Sequence, residues 1–186
     1  MGKYKIAVLV GSLRKGSYNL KTAKALIELA PESLSLDIIN IADLAFYNED
    51  IESTPPKEWS TFREQIQASD GVLFLTPEYN RSVPAVIKNA IDVGSRPSGK
   101  NSWSGKPGAV VSVSTGNISG FGANHILRQS LTAVNVLAMA QPVPYIGGAA
   151  DLFNEEGKLT KESTRKFLSK FMVAFEHWVA TFVNKT

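Results

Sequence analysis

Short apolar runs alternate with longer amphipathic segments along most of the chain, a pattern that predicts strands separated by helices. The run GVLFLT at 71–76 is apolar almost throughout, as strands buried on both faces of a parallel sheet are. Regular alternation of strand and helix indicates parallel βαβ units. The predicted strands are 5–10, 35–40, 71–76, 108–114 and 136–142.

Apolar residues at three- and four-residue spacing predict helices between and after these strands. The first helix begins near Tyr18 or Asn19 and is closed by Pro31, while Pro84 is well placed to open the third. The last helix, over 160–184, has the clearest apolar stripe, which we interpret as core packing. The stripe of the first helix is Leu20, Ala23, Ile27 and Ala30, and that of the last is Phe167, Leu168, Phe171, Phe175, Trp178 and Phe182.

These elements predict an α/β fold, a doubly wound five-stranded parallel sheet with helices on both faces. The 186 residues suffice for one domain spanning 1–186 with a full core. Doubly wound sheets bind ligands beyond the carboxyl ends of their strands, where the strand order reverses. The loops after the first, third and fourth strands are therefore the candidate binding loops.

Composition narrows the classes of function. The chain has no cysteine, which excludes disulfides, thiolate nucleophiles and cysteine-ligated metals. Its net charge of +3 does not favour nucleic acid but suits small anionic ligands such as phosphates. No apolar run approaches the ~20 residues of a membrane span, and the start of the chain lacks the pattern of a signal peptide. We therefore expect a cytoplasmic protein that binds neither membrane nor nucleic acid.

The loop after the first strand, GSLRKGSYN at 11–19, has the composition of a phosphate site. Backbone N–H groups at a helix N-terminus, together with the helix dipole, favour an anion. The alternative is an ordinary strand-to-helix turn with Ser17 as the helix N-cap. The loop combines the glycines Gly11 and Gly16, the polar side chains of Ser12, Ser17 and Asn19, and the cations Arg14 and Lys15.

The same loop departs from the best-known phosphate motifs. It lacks the lysine of a Walker loop after Gly16, and it lacks the G-x-G-x-x-G fingerprint of dinucleotide sites. A low-molecular-weight phosphatase would need a cysteine in this turn. Because these motifs are absent, the remaining candidate ligand is a mononucleotide whose phosphate is held by hydroxyls and backbone amides.

Two motifs together resemble a known family. GSLRKGS-x-N at 11–19 and TPEYN-x-S-VP-x-x-x-KNAID at 76–92 are similar to the NADPH-dependent FMN reductase family, in particular to its chromate and quinone reductase branch. The resemblance covers about residues 5–150. It implies a flavodoxin-like sheet in the order 2-1-3-4-5, non-covalently bound FMN, and NADPH or NADH as the electron donor. It also implies alternating half-reactions, acceptors such as quinones, flavins, azo compounds and chromate, and a homodimer or homotetramer.

The resemblance also implies which residues bind FMN. No catalytic side chain and no metal are expected, because the cofactor carries the redox chemistry. The second loop would border the flavin ring largely through backbone groups, although a plain turn with Tyr79 packed or solvated is the alternative. The third loop would touch FMN, or else be a flexible connection. The expected FMN-binding residues are Ser12, Leu13, Arg14, Lys15, Gly16, Ser17, Asn19, Pro77, Glu78, Tyr79, Asn80, Arg81, Ser114 and Gly116.

The chain departs from some members of that family at two positions. Arg81 stands where some relatives carry Tyr, and Pro144 where they carry Glu, so their hydrogen-bond network near the subunit interface is not expected here. Arg81 could attract an anionic acceptor or a nucleotide phosphate, or it could be solvated or paired across an interface. Arg14, Arg96 and Lys100 are equally placed by sequence to serve the 2′-phosphate of NADPH.

Two rival functions use the same cofactor. A flavodoxin-type electron carrier is usually strongly acidic, so the charge of +3 counts against it. A flavin-binding regulatory protein with little turnover is the second rival, and the sequence does not separate it from an enzyme.

Overall fold

The fold is built on a twisted parallel sheet. The computed structural model describes residues 3–183, and within them the sheet has six strands. Its order is β2-β1-β3-β4-β5, with β6 also paired to β4, which confirms the predicted 2-1-3-4-5 order. The strands are β1 (Tyr4–Val10), β2 (Leu34–Ile38), β3 (Gly71–Thr76), β4 (Pro107–Val113), β5 (Leu137–Ala138) and β6 (Tyr145–Ile146).

Helices cover both faces of the sheet, as predicted. Alternate residues of β1 enter opposite layers: Ile6 and Val8 pack in the core beneath α1 and α5, while Ala7 and Leu9 pack beneath α2, α3 and α4. The helices are α1 (Tyr18–Glu28), α2 (Lys57–Gln67), α3 (Ala85–Ser95), α4 (Phe121–Ala133) and α5 (Glu162–Phe182), with short 3₁₀ turns at Glu49–Ile51 and Ala149–Asp151.

The fifth strand differs from its prediction. A single strand over 136–142 is wrong, because β5 has only two residues and β6, farther along the chain, pairs with the other end of β4. Pro142 and Pro144 lack the N–H group that a strand needs to continue its ladder. The carbonyl of Pro144 nevertheless accepts from the N–H of Ser112 at 3.0 Å, so this segment stays against β4.

The apolar stripes of α1 and α5 are rotated relative to their predictions. In α1 Leu26 is fully buried, whereas Ile27 is 36% exposed. In α5 Phe171 and Phe175 are buried, but the predicted burial of Phe167 and Phe182 is wrong, since they are 38% and 44% exposed. Adjacent helical residues point about 100° apart, so only one of two neighbouring apolar residues can face the sheet. Asn184, the predicted end of α5, lies outside the described residues.

Among residues 3–183, no helix combines the length and the apolar character that crossing a bilayer requires.

The topology brings the three candidate loops to one edge of the sheet. β1, β3 and β4 are adjacent and parallel, so their carboxyl ends lie side by side. The order reverses between β1 and β3, which is where such sheets leave a crevice for a ligand.

Candidate functional site

All three candidate loops line one recess at the carboxyl edge of the sheet. Its volume is about 140 Å³, and its walls are mainly polar side chains and loop backbone. The lining residues are Ser12, Arg14, Ser17, Tyr18, Asn19, Pro77, Glu78, Tyr79, Val113, Ser114 and Thr115.

The first loop presents unused backbone donors to this recess. In the described part of the chain, the N–H groups of residues 12–16 donate no hydrogen bond, whereas that of Ser17 donates to the carbonyl of Arg14 at 3.1 Å. Ser17 is the N-cap of α1, because its Oγ accepts from the N–H of Leu20 at 3.2 Å. Ser17 is therefore confirmed as the N-cap. The loop before it nevertheless keeps a row of free N–H groups beside the N-terminus of α1, an arrangement that suits an anion.

Asn19 supplies an unpaired acceptor beside those donors. The side chain is 4% exposed, and its Nδ2 donates to the carbonyl of Val113 at 3.4 Å. Its Oδ1 is buried without a partner among the described residues. Buried polar atoms are nearly always hydrogen-bonded, so this orphan oxygen indicates that a ligand hydroxyl belongs next to it. Donors for an anion and an acceptor for a hydroxyl together fit a phosphorylated polyol such as the ribityl phosphate of FMN.

The cations of the first loop also face no protein partner. Arg14 and Lys15 are exposed, and neither forms an ion pair within residues 3–183. Arg14 lines the recess, whereas Lys15 does not. Of the two, Arg14 is therefore the one positioned to bind a phosphate.

The second loop ends in a tight hairpin. Tyr79 and Ser82 exchange two backbone hydrogen bonds, of 3.0 and 2.9 Å, around Asn80 and Arg81. Both central residues have positive φ, 50° and 65°, which is the geometry of a type I′ turn. Asn is common in such turns, but a side chain as large as Arg is not. The hairpin places Tyr79, 47% exposed, at the rim of the recess.

Glu78 connects the second loop to α4. Its Oε2 accepts from the backbone N–H of Ala123 at 3.0 Å, and its Oε1 accepts from Nη1 of Arg81 at 3.0 Å. These two donors, the N–H of Ala123 above all, hold the pKa of the Glu78 carboxyl below its usual range. Arg81 is thus paired within its own loop, and its side chain is 72% exposed.

The third loop is held by its own backbone and by β6. Ser114 donates its N–H to the carbonyl of Ile146 at 2.9 Å, and its Oγ accepts from the N–H of Gly116 at 3.1 Å. Close packing requires a glycine at Gly147, where an added Cβ would lie 2.5 Å from Oγ of Ser119. At Gly116 an added Cβ would lie 3.7 Å from Oγ of Ser114, an ordinary contact distance, so packing does not require that glycine.

A second recess, more apolar and about 430 Å³ in volume, shares Arg14 and Tyr79 with the first. An apolar cleft beside a polar one suits a ligand with a flat ring at one end and a phosphate at the other. Two other recesses lie near β2 and α2, away from the candidate loops. The second recess is lined by Gly11, Leu13, Arg14, Tyr79, Pro84, Ala85 and Val86.

Most of the predicted residues meet at these two recesses, and some do not. The predicted residues that line neither are Lys15, Gly16, Asn80, Arg81 and Gly116. The prediction missed Tyr18, Val113 and Thr115 in the first recess and Gly11, Pro84, Ala85 and Val86 in the second. Gly11 and Pro84 stand inside the two quoted motifs, Tyr18 falls between the predicted Ser17 and Asn19, and Thr115 follows the predicted Ser114. Ala85 and Val86 fall at unspecified positions of the second motif, so nothing in it singled them out.

Arg96 has partners that compete with any phosphate. It donates to Glu52 at 2.8 Å, to Glu49 at 3.3 Å and to the hydroxyl of Tyr47 at 3.1 Å. Two carboxylates already neutralise this guanidinium, so Arg14 is better placed than Arg96 for an anionic ligand.

The strand order and the unpaired cradle after β1 define a flavodoxin-like, mononucleotide-binding protein. Flavodoxin from Pseudomonas aeruginosa shares this fold, with a TM-score of 0.58 and 18% identity. The family model described as NADPH-dependent FMN reductase matches residues 4–151. The chain belongs to the NADPH-dependent FMN reductase family.

Several relatives are much more similar than that flavodoxin. A quinone reductase of Pseudomonas putida is 60% identical over 177 residues, 95% of each chain. A 2-hydroxy-1,4-benzoquinone reductase of a Burkholderia species is 43% identical over 94% of this chain and 96% of that one. The solved structure of FerB, a flavoenzyme NAD(P)H:(acceptor) oxidoreductase from Paracoccus denitrificans, superposes with a TM-score of 0.91. It has 42% identity and covers 96% of this chain and 98% of its own.

Family membership confirms three expectations drawn from the motifs. The protein is an oxidoreductase, FMN is its cofactor, and NAD(P)H is its electron donor. This favours the enzyme over the electron carrier and the regulatory protein.

Proposed function

We propose that this chain reduces quinones with electrons from NAD(P)H, using FMN bound in the two recesses beside Arg14 and Tyr79. The observation that carries the proposal is the row of free N–H groups at residues 12–16 with the orphan Oδ1 of Asn19 beside it. The names of relatives that are 60% and 43% identical support a quinone as acceptor.

The first loop would hold the phosphate end of FMN. The free N–H groups, the hydroxyls of Ser12 and Ser17, and the guanidinium of Arg14 can together donate to the phosphate oxygens. Oδ1 of Asn19 would accept from a ribityl hydroxyl, which would satisfy the atom that the protein leaves unpaired.

The second and third loops would border the flavin ring. Pro77, Tyr79 and Ser114 reach the polar recess, and Leu13 and Val86 line the apolar one. When bound, FMN would supply the redox chemistry between the nicotinamide and the acceptor. The loops would bind the cofactor and orient its ring, so no acid or base side chain is required.

The family likeness extends the proposal to flavins, azo compounds and chromate as further acceptors. It also supports a homodimer or homotetramer formed by a single domain of residues 1–186. Leu13 at 55% exposure, Ile118 at 56% and Phe121 at 52% are apolar side chains that a partner copy could cover.

The proposal is tested with purified protein. The apoprotein is loaded with FMN, reduced with NADPH or NADH without oxygen, and then mixed with a benzoquinone. We expect the flavin absorbance to bleach with the reduced nucleotide and to return with the quinone, with no partner protein present. A protein that takes up no FMN, or whose reduced flavin is not reoxidised by any quinone, would refute it.

A further inference from the structure

We propose that the carboxylate of Glu78 is a positioning residue that locks the second loop to α4 and thereby presets the wall of the FMN site. The inference rests on the proposed function in one respect, the assignment of the recess between these loops to FMN. It adds a role for a side chain that, by family likeness, was expected to serve the flavin mainly through its backbone.

Both oxygens of this carboxylate are already engaged by protein donors. Oε2 accepts from the N–H of Ala123 and Oε1 from Arg81, each at 3.0 Å. The side chain is only 10% exposed, so solvent competes weakly for these bonds. Glu78 lines the first recess itself, but its carboxylate oxygens are taken, so the carboxylate acts on the cofactor site through the loop and the helix that it joins.

At its far end the carboxylate supplies a helix cap that α4 lacks. The N-cap residue of α4 is Gly120, which has no side chain to accept from the first-turn N–H groups. Glu78 takes that role from another loop and adds a negative charge where the helix dipole favours one. The chain leaves room for it: a Cβ at Gly122 would lie 3.0 Å from Oε2 of Glu78 and 3.1 Å from the carbonyl of Arg81.

At its near end the carboxylate stabilises a turn that is sterically costly. Asn80 and Arg81 both have left-handed backbones, which residues with a Cβ adopt at a cost. The ion pair between Arg81 and Glu78 favours this conformation of the hairpin. Tyr79 is the first residue of that turn and lines both recesses, so an interaction that favours the turn also favours the position of Tyr79 at the site.

The consequence concerns binding affinity. If the second loop is held against α4 before FMN arrives, binding does not carry the cost of ordering that loop. Without the carboxylate, the apoprotein would sample arrangements in which Tyr79 has left its place at the recesses. The apparent affinity for FMN would then fall in proportion to the fraction of molecules that keep the competent arrangement.

The test compares FMN affinity between variants of two carboxylates. Glu78→Gln and Glu78→Ala are compared with wild type, and Glu52→Gln is the matched control. Glu52 also accepts from an arginine, Arg96, at 2.8 Å, its side chain is 17% exposed, and it lines neither recess. The dissociation constant of FMN is measured by fluorescence quenching on each apoprotein.

We expect Glu78→Gln to weaken FMN binding about tenfold and Glu78→Ala more, while Glu52→Gln stays within about twofold of wild type. In the apoprotein, hydrogen exchange at the Ala123 amide should be protected in wild type and fast in Glu78→Ala. Equal weakening by Glu52→Gln would mean a general loss of stability and would overturn the proposal. So would wild-type affinity in both Glu78 variants.

Arg81 provides a second pair of variants that does not touch the helix cap. Arg81→Ala removes the ion pair and keeps the costly backbone, whereas Arg81→Gly removes the ion pair and relieves the backbone. We expect Arg81→Ala to weaken FMN binding more than Arg81→Gly does, and the reverse order would contradict the proposal. This pair decides the matter if the Glu78 variants do not fold. Wild-type apoprotein that binds no FMN refutes the proposed function instead, and an unprotected Ala123 amide in it refutes the cap.

Discussion

At the scale of single residues, the phosphate cradle depends on backbone more than on charge. The free N–H groups of residues 12–16 come from the path of the loop, and any residue except proline at those positions would carry them. What side chains add is a cation, from Arg14, and an unpaired buried acceptor, from Asn19. The sequence favoured Arg14 because a guanidinium forms charge-assisted bonds to a phosphate, but composition does not show which of the neighbours Arg14 and Lys15 faces the recess.

Arg14→Ala should therefore weaken FMN binding about tenfold or more, because a charge-assisted hydrogen bond to the phosphate is lost. Lys15→Ala is the matched control, since it removes the adjacent cation from a side chain that lines neither recess. Titration of both apoproteins with FMN by fluorescence measures the difference. Similar effects from the two variants would mean that net charge, rather than position, attracts the cofactor.

At the scale of elements, the sequence predicts which apolar residues form a stripe along a helix. It does not predict which residues of that stripe face the sheet. Phe167 and Leu168 are both apolar and adjacent, and only the docking of α5 on the sheet decides that Leu168 is buried. The prediction of a single fifth strand was wrong for a related reason. Its apolar run resembles the other strands, but the donors missing at Pro142 and Pro144 interrupt the pairing, which divides between β5 and β6.

The rotation of α5 can be measured with a pair of aromatic truncations. Phe171→Ala should lower the free energy of unfolding by about 3–5 kcal/mol, because it leaves a cavity in a buried core. Phe167→Ala should cost less than about 1 kcal/mol, because that ring is already partly in solvent. Urea denaturation of the two variants compares them, and equal losses would place Phe167 in the core after all.

The segment between β2 and α2 should carry an acid-sensitive contact. The hydrogen bond from Arg96, together with that from Tyr47, lowers the pKa of the Glu52 carboxyl. A carboxyl with a lowered folded-state pKa stabilises the fold above its unfolded value, and that contribution disappears as the pH falls through the folded value.

Glu52→Gln should accordingly flatten the loss of stability on acidification as the pH falls below the ordinary glutamate pKa of about 4.3. Glu49→Gln is the control, since Glu49 is 78% exposed and its 3.3 Å contact with Arg96 is screened by water. Urea midpoints measured across this range test it. If Glu52→Gln loses stability on acidification as steeply as the wild type, the acid sensitivity comes from other groups.

At the scale of the whole molecule, the family resemblance of two motifs implied the strand order, and the alternation of strands and helices predicted the edge that carries the site. Alternating strands and helices predict where loops converge, and the glycine- and serine-rich turn marks which loops matter. The hairpin at Asn80 and Arg81, the cap from Glu78 to α4 and the apolar recess beside α3 did not follow. Each depends on contacts between segments far apart in the chain, which local patterns do not encode.

The whole fold should report occupancy of the phosphate cradle. FMN at about 100 times its dissociation constant should add about 2.7 kcal/mol to the free energy of unfolding, because it binds only the folded state. Riboflavin, which has the same ring and no phosphate, should stabilise far less at equal concentration. Thermal unfolding with each ligand compares them, and equal stabilisation would place the binding energy in the ring rather than in the first loop.

The split between β5 and β6 also limits how copies of this chain can associate. Along that margin β4 is covered by two strands of two residues each, β5 and β6. Edge strands that short offer an incoming strand few amides and carbonyls to pair with. Association of copies on that side is therefore expected to use helices and loops rather than a sheet shared between molecules.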